Sequence, residues 1–319
     1  MNPLLFVLVF FAPPPIKLWL LRTFCGAQIG RGARIGWFAA VAARHLALGE
    51  ASEIRSLTII QCGGDLHIGR YAIVSSFTLV YGAGDLIIGE HAYVGPQSLI
   101  NCDEPVRLGR YSAVGARTMI YTHGSFLPFT EGFWVRFGGV TIGDYVWCAA
   151  GVFIHPGVTI GDEVFINSRS VVTGNIASGT VAEGFPAQPI TTMARVRRNM
   201  TPRRVDAAIS QMLRHFNEAI LARQYGISAE QDAAGSLHFT FRGAPYQICC
   251  IPAAGIIPPL DPARRLLLLI NRSDWQPPAA VVAQADFISM QSDREHDPVF
   301  HELIQFFKRY YGIQFRYRN

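Results

Sequence analysis

Val140-Thr141-Ile142-Gly143-Asp144-Tyr145-Val146-Trp147-Cys148-Ala149-Ala150-Gly151-Val152-Phe153-Ile154-His155-Pro156-Gly157-Val158-Thr159-Ile160-Gly161-Asp162-Glu163-Val164-Phe165-Ile166 returns an aliphatic residue about every sixth position, often followed by Gly and then Asp. An amphipathic helix repeats about every 3.6 residues and a strand every 2, so neither explains this period. A coil of very short strands joined by tight turns does. In it each sixth aliphatic points inward and stacks on its equivalents one coil above and below. Gly then supplies backbone freedom at the corner, and Asp or Asn there bonds its own backbone or tolerates the left-handed region.

The register extends in both directions. It continues through Ser168, Val171-Val172-Thr173 and Ile176 to Gly184-Phe185-Pro186-Ala187. Upstream, Ile29-Gly30 and Ile35-Gly36 open it, and Leu48-Gly49, Ile68-Gly69, Ile88-Gly89 and Leu108-Gly109 follow at steps of 20 residues, against 18 from Ile142 to Ile160. Each step reads as one three-sided coil. The longer ones carry an extra turn at Gly63-Gly64-Asp65 and at Gly82-Ala83-Gly84-Asp85, and Val94-Gly95 and Val114-Gly115 mark a second corner. Ile68, Ile88, Leu108, Ile142 and Ile160 are expected as a buried ladder. Tyr121 to Gly139, rich in aromatics and flanked by glycines, breaks the rhythm just after coil 20-residue spacing ends. A loop leaving a rigid scaffold is where function concentrates.

At 319 residues the chain has room for two domains. Residues 1–24 alternate apolar stretches with Pro13-Pro14-Pro15. That interruption excludes a spanning helix, and the segment lacks the pattern of a signal peptide. It either caps the open end of the coil or lies on a membrane surface. Residues 25–200 form the coil domain and 201–319 a small α+β domain, with Thr201-Pro202 starting a helix that runs to Gly226. Strands are expected at 237–241, 246–252, 265–270 and 287–290, and a helix at 298–311. The expected class is mainly β: a parallel β-helix with an N-terminal apolar cap and a C-terminal α+β domain.

Hydrophobic residues make up 50% and charged ones 16%, which argues against disorder. The net charge of +5 is concentrated in arginines after the repeats, among them Arg195, Arg197 and Arg198. Six cysteines without a C-x-x-C pattern suit reduced thiols in the cytosol, with Cys148 packed inside a coil turn. No metal site and no nucleic-acid partner are expected.

The residues quoted resemble the hexapeptide-repeat acyltransferases, and among them the branch of maltose and galactoside O-acetyltransferases and polysaccharide-modifying enzymes. The resemblance spans 25–190 and is most specific from Val140 to Pro186, with Gly184-Phe185-Pro186-Ala187 matching the family's terminal G-x-P-A. It implies a left-handed coil, a homotrimer with sites between protomers, and an acyl-CoA donor, acetyl-CoA by preference. The acceptor implied is a sugar or envelope-polysaccharide precursor, handled in the cytoplasm or at the inner surface of the membrane.

By the same resemblance His123 stands where the family keeps its catalytic base, and acyl transfer to a hydroxyl needs such a base independently. Ala150 would supply the backbone N–H that meets the oxyanion. Trp147, Gly151, Ser168 and Thr173 would line the coenzyme groove. Asp103 would bind the acceptor or orient His123, or else serve only as a turn residue. Phe126, Phe129 and Trp134 of the loop would border the acceptor. Three departures stand out, one of them Gly95 where the sugar enzymes keep an acceptor-side Asn, which argues against a maltose-like acceptor. Gly174 and Gln188 replace a Lys and an Arg that usually reach the coenzyme's phosphates, a task that Arg195, Arg197 and Arg198 would take over. Two other readings compete. A zinc enzyme needs His pairs that this spacing lacks. A non-catalytic assembly or binding protein would use the coil as scaffold and the C-terminal domain for recruitment.

Overall fold

The structure, a computed structural model, describes residues 3–124, 127–294 and 296–318. Two compact units divide the chain, residues 1–197 and 198–319.

The first unit is built on three parallel sheets. Successive strands of one coil go to the first, second and third sheet in turn, and the next coil repeats the cycle. The first face stacks Leu66–Ile68, Leu86–Ile88, Val106–Leu108 and Val140–Ile142 in exact register, so that Ile68, Ile88, Leu108, Ile142 and Ile160 lie one above another. All five are buried. The second face stacks Val74, Val94, Val114, Cys148 and Ile166, and the third stacks Ile60, Val80, Ile100, Ile120, Ile154 and Val172. One inward side chain per face fills the prism axis and explains the period of six: two or three strand residues plus a turn bring the chain to the next face. Cys148 belongs to a second-face strand rather than a turn, and burial pushes its thiol up to about 12.

The repeated glycines have a different cause from the one expected. The left-handed backbone at the first corner is adopted by Ala51, Tyr71, His91, Tyr111, Tyr145 and Glu163, not by the glycines before them. Those glycines are required by close approach between coils. A Cβ on Gly89 would lie 2.6 Å from the carbonyl carbon of Gly109 and 2.7 Å from the nitrogen of Arg110. The aspartates that follow also work between coils. Asp144 accepts from the N–H of Arg110 at 2.7 Å and Asp162 from that of Asp144 at 2.7 Å, where stacked corners leave donors unpaired. Gly89→Ala is therefore expected to cost about 3 kcal/mol through overpacking. In a unit of this size that lowers Tm by roughly 6–12 °C. Gly174→Ala, where a Cβ meets nothing within 4 Å, is the neutral control, and calorimetry of the two checks the claim.

Helices Pro3–Phe11 and Pro14–Cys25 close the open end. Val9 and Leu21 are buried there, and Lys17 is fully buried with its Nζ donating to the carbonyls of Ala39 at 2.7 Å and Phe10 at 3.1 Å. Burial lowers this amine to about 8. At the far end, strands Thr180–Gly184 and Ala187–Thr192 form an antiparallel hairpin on the second sheet.

The second unit is a seven-stranded mixed sheet with two principal helices. Thr201 caps the helix Pro202–Phe216, the chain continues helically to Gly226, and Pro298–Tyr311 is a helix over the expected span. The strand expected at 287–290 lies instead at Val281–Asp286, parallel to Arg265–Ile270. Phe287 to Met290 makes the turn beyond it, with Met290 at φ 52°. The small, polar-flanked Ala283 and Ala285 hid that strand, because their inward burial supplies little hydrophobic signal.

Candidate active site

Every long coil has its extra turn at the corner between the third and the first face, at 62–65, 82–85 and 102–105. The irregular segment 121–139 leaves from this same corner one coil later. The coil beneath therefore presents its turn directly under the loop's first residues. Asn101, fully buried at the end of strand Leu99–Asn101, organises the junction. Its Oδ1 accepts from the hydroxyl of Thr122 at 2.8 Å and from the N–H of Thr122 at 3.3 Å, and its Nδ2 donates to Asp103 Oδ2 at 2.9 Å. Thr122 in turn accepts from the N–H of Glu104 at 3.0 Å.

His123 sits on this platform. Its Nδ1 lies 2.8 Å from Asp103 Oδ2 and 3.1 Å from Asn101 Oδ1. Both are acceptors, so in the neutral ring Nδ1 carries the proton and Nε2 presents its lone pair. Nε2 makes no hydrogen bond to any described residue, and the side chain is 36% exposed. The ring stacks on Phe137 at 5.9 Å, and His123–Gly124 pairs antiparallel with Arg136–Phe137, which returns the loop to the coil. Asp103 is held below the usual carboxylate range. The Asn101 amide is the largest cause, followed by the Ala83 N–H and the charge of His123, against a desolvation that acts the other way. Its Oδ1 accepts the Ala83 N–H at 3.0 Å, so both oxygens are engaged by protein donors. That geometry suits a carboxylate that orients an imidazole better than one left open for an acceptor.

The remaining predicted residues are distributed over the coil. Phe129 and Trp134 are exposed on the loop, around a short turn at Phe129–Glu131; Phe126 lies outside the described residues. Trp147 is exposed on the second face and packs on Phe165 at 5.3 Å. Ala150, Gly151 and Ser168 lie at the corner between the second and third faces, where Ala150 is exposed and its N–H meets no acceptor among the described residues. Gly151 has φ 72° there, and Ser168 stacks one coil above Ala150. Thr173 is exposed on the His123 corner, two coils further on. Arg195, Arg197 and Arg198 are exposed past the end of the hairpin. Within one chain the third face thus separates His123 from Trp147 and Ala150. Asn101 and Thr122 were not foreseen. Their one signal in the sequence is a polar residue one or two positions after an inward aliphatic, Asn101 after Ile100 and Thr122 after Ile120.

Among the described residues no group of three or more His, Cys, Asp or Glu is placed to hold a metal ion. No described helix is long and apolar enough to cross a membrane.

No family model matches the chain. Galactoside O-acetyltransferase of Escherichia coli K12 is 47% identical over 51 residues, 16% of this chain and 25% of that protein. Chloramphenicol acetyltransferase of Morganella morganii is 40% identical over 55 residues, 17% of this chain and 26% of the relative. The chain thus matches about a quarter of the length of each. Among solved structures, a maltose O-acetyltransferase from Clostridium difficile 630 aligns with 59% of this chain and 82% of its own, at 21% identity and a TM-score of 0.35. AntD, an N-acyltransferase from Bacillus cereus in complex with dTDP and coenzyme A, aligns with 65% and 98% at 16% identity and a TM-score of 0.41. The repeating coil and the local sequence likeness together make the first unit similar to the hexapeptide-repeat domains of acetyltransferases.

Proposed function

We propose that the chain is an acyl-CoA-dependent O-acyltransferase, acetyl-CoA its donor, acting on a sugar or envelope-polysaccharide precursor. The observation that carries the reading is His123 with Nδ1 fixed by Asp103 and Nε2 left open at the foot of an aromatic loop. In the reaction the acceptor hydroxyl gives its proton to Nε2 as its oxygen attacks the thioester carbonyl. The oxyanion accepts from the Ala150 N–H, the carbon–sulfur bond breaks, and the imidazolium returns the proton to the departing thiolate. Asp103 holds the tautomer and stabilises the cation that forms. The acyl chain passes along Trp147 and Gly151, and the nucleotide end reaches Ser168, Thr173, Arg195 and Arg197.

His123 and Ala150 occupy different corners of one prism, so a complete site takes His123 from one protomer and Ala150 with Trp147 from the next. A homotrimer supplies three such clefts and leaves none incomplete. The N-terminal helices add contact with the inner membrane's surface.

Incubating the protein with acetyl-CoA and following thiol release across a panel of sugars tests the reading. Acceptor-dependent release is expected. If no acceptor stimulates it and calorimetry finds no coenzyme A binding, the chain is a non-catalytic scaffold instead.

A further inference from the structure

The apolar N-terminal segment has two faces, and the capping role uses one. Val9, Leu21 and the buried Lys17 face the coil. Val7, Leu8 and Phe11 on the first helix, and Trp19 and Phe24 on the second, stay exposed, Phe11 and Phe24 by more than 60%. The exposed area does not stop at the helices. Phe38 contacts the rings of Phe10 and Phe11 at 5.9 and 6.4 Å, and Trp37 lies beside it, 50% exposed. Phe38 begins a column of corner residues that the coil register stacks in the order Phe38, Leu57, Phe77, Gln97, Arg117. The first three are exposed apolar side chains and the last two exposed polar ones.

We infer that this end of the coil docks on an anionic lipid surface, with the helices lying in the interface and the coil axis rising from it. The inference rests on the membrane contact proposed above and specifies its lipid, its residues and its depth. Charge selects the occupant. Arg22, Arg31 and Arg34 are exposed and precede Glu50, the first acidic residue of the chain, whereas Lys17 is buried and Arg44 is paired with Asp65. A second copy laid on this face would bring like charges together, whereas anionic headgroups complement them. Trp19 and Trp37 supply amphipathic rings of the kind that settle at headgroup level. The depth agrees as well. From Phe38 to Phe77 are two coil steps, roughly 10 Å at the spacing of paired strands, and interfacial elements bury to about 5–10 Å. The column turns polar where the bilayer interface would end.

Flotation of the full chain with phosphatidylcholine vesicles, with and without phosphatidylglycerol, tests the inference. The chain is expected to float with the anionic vesicles, less so at high salt. Removing two exposed charges by Arg22→Gln with Arg31→Gln should weaken this about 25-fold, taking roughly five-fold for each. Phe11→Asp should abolish flotation with the anionic vesicles, and Tm measured alongside shows that the fold survives loss of the Phe11–Phe38 ring contact. A wild-type chain that floats with neither vesicle overturns the inference. So does an assembly, seen by analytical ultracentrifugation, that Phe11→Asp dissociates, because the face then belongs to a second copy. Flotation is read without turnover, so a chain inactive on every acceptor still decides this question separately.

Discussion

Replacing His123 by Ala is expected to lower kcat for acetyl transfer by about 10²–10⁴-fold, the range that a positioned general base contributes. The coenzyme's KM should stay nearly unchanged. The physical reason is the division of labour on the imidazole. Nδ1 is committed to Asp103 and Asn101, so the ring cannot rotate away without breaking both bonds, and Nε2 is the open atom of the corner. Asp103→Asn, assayed in the same way, separates the two roles open to that carboxylate. An orienting carboxylate shows its loss in kcat with the acceptor's KM kept, whereas an acceptor-binding one raises that KM. Full activity in His123→Ala would end the assignment of His123 as the general base.

Ala150→Pro is expected to reduce kcat about 10²–10³-fold, as loss of one oxyanion donor does, with folding intact. The substitution deletes the N–H and little else. Pro96 already occupies the equivalent turn position two coils below, and Gly151 at φ 72° is the following turn residue that tolerates Pro before it. The Arg169 N–H still reaches the carbonyl of residue 150, which the change preserves. Because His123 and Ala150 belong to different corners, mixing His123→Ala and Ala150→Pro protomers and reassembling them should restore activity at mixed clefts. Two inactive variants that stay inactive in every mixture would place both groups in one chain's own site, against the geometry described here.

The coil itself was legible from residue spacing, since a six-residue aliphatic period admits few other solutions and every repeat votes for the same register. The buried ladder, the extra turns at 62–65 and 82–85, and the helix over 298–311 follow from local pattern. The reason for the glycines was not legible. Sequence suggests corner flexibility, but the requirement is the approach of two backbones 20 residues apart, visible only when coils are stacked. The strand at Val281–Asp286 was missed for a similar reason, as its alanines owe their burial to neighbours and not to their own hydrophobicity.

The site divides along the same line. The positions of His123, near the start of the segment that leaves the repeat, and of Asp103, in the turn one coil earlier, were readable; their catalytic roles are part of the proposal. The buried amide of Asn101, the fixed tautomer of the imidazole, and the separation of His123 from Ala150 by a whole face are tertiary facts. Local pattern determined the coil and the place where it breaks, because the period depends on nearest neighbours in the chain. Which atoms meet at that break depends on stacking between residues about 20 apart, and only the folded prism decides it.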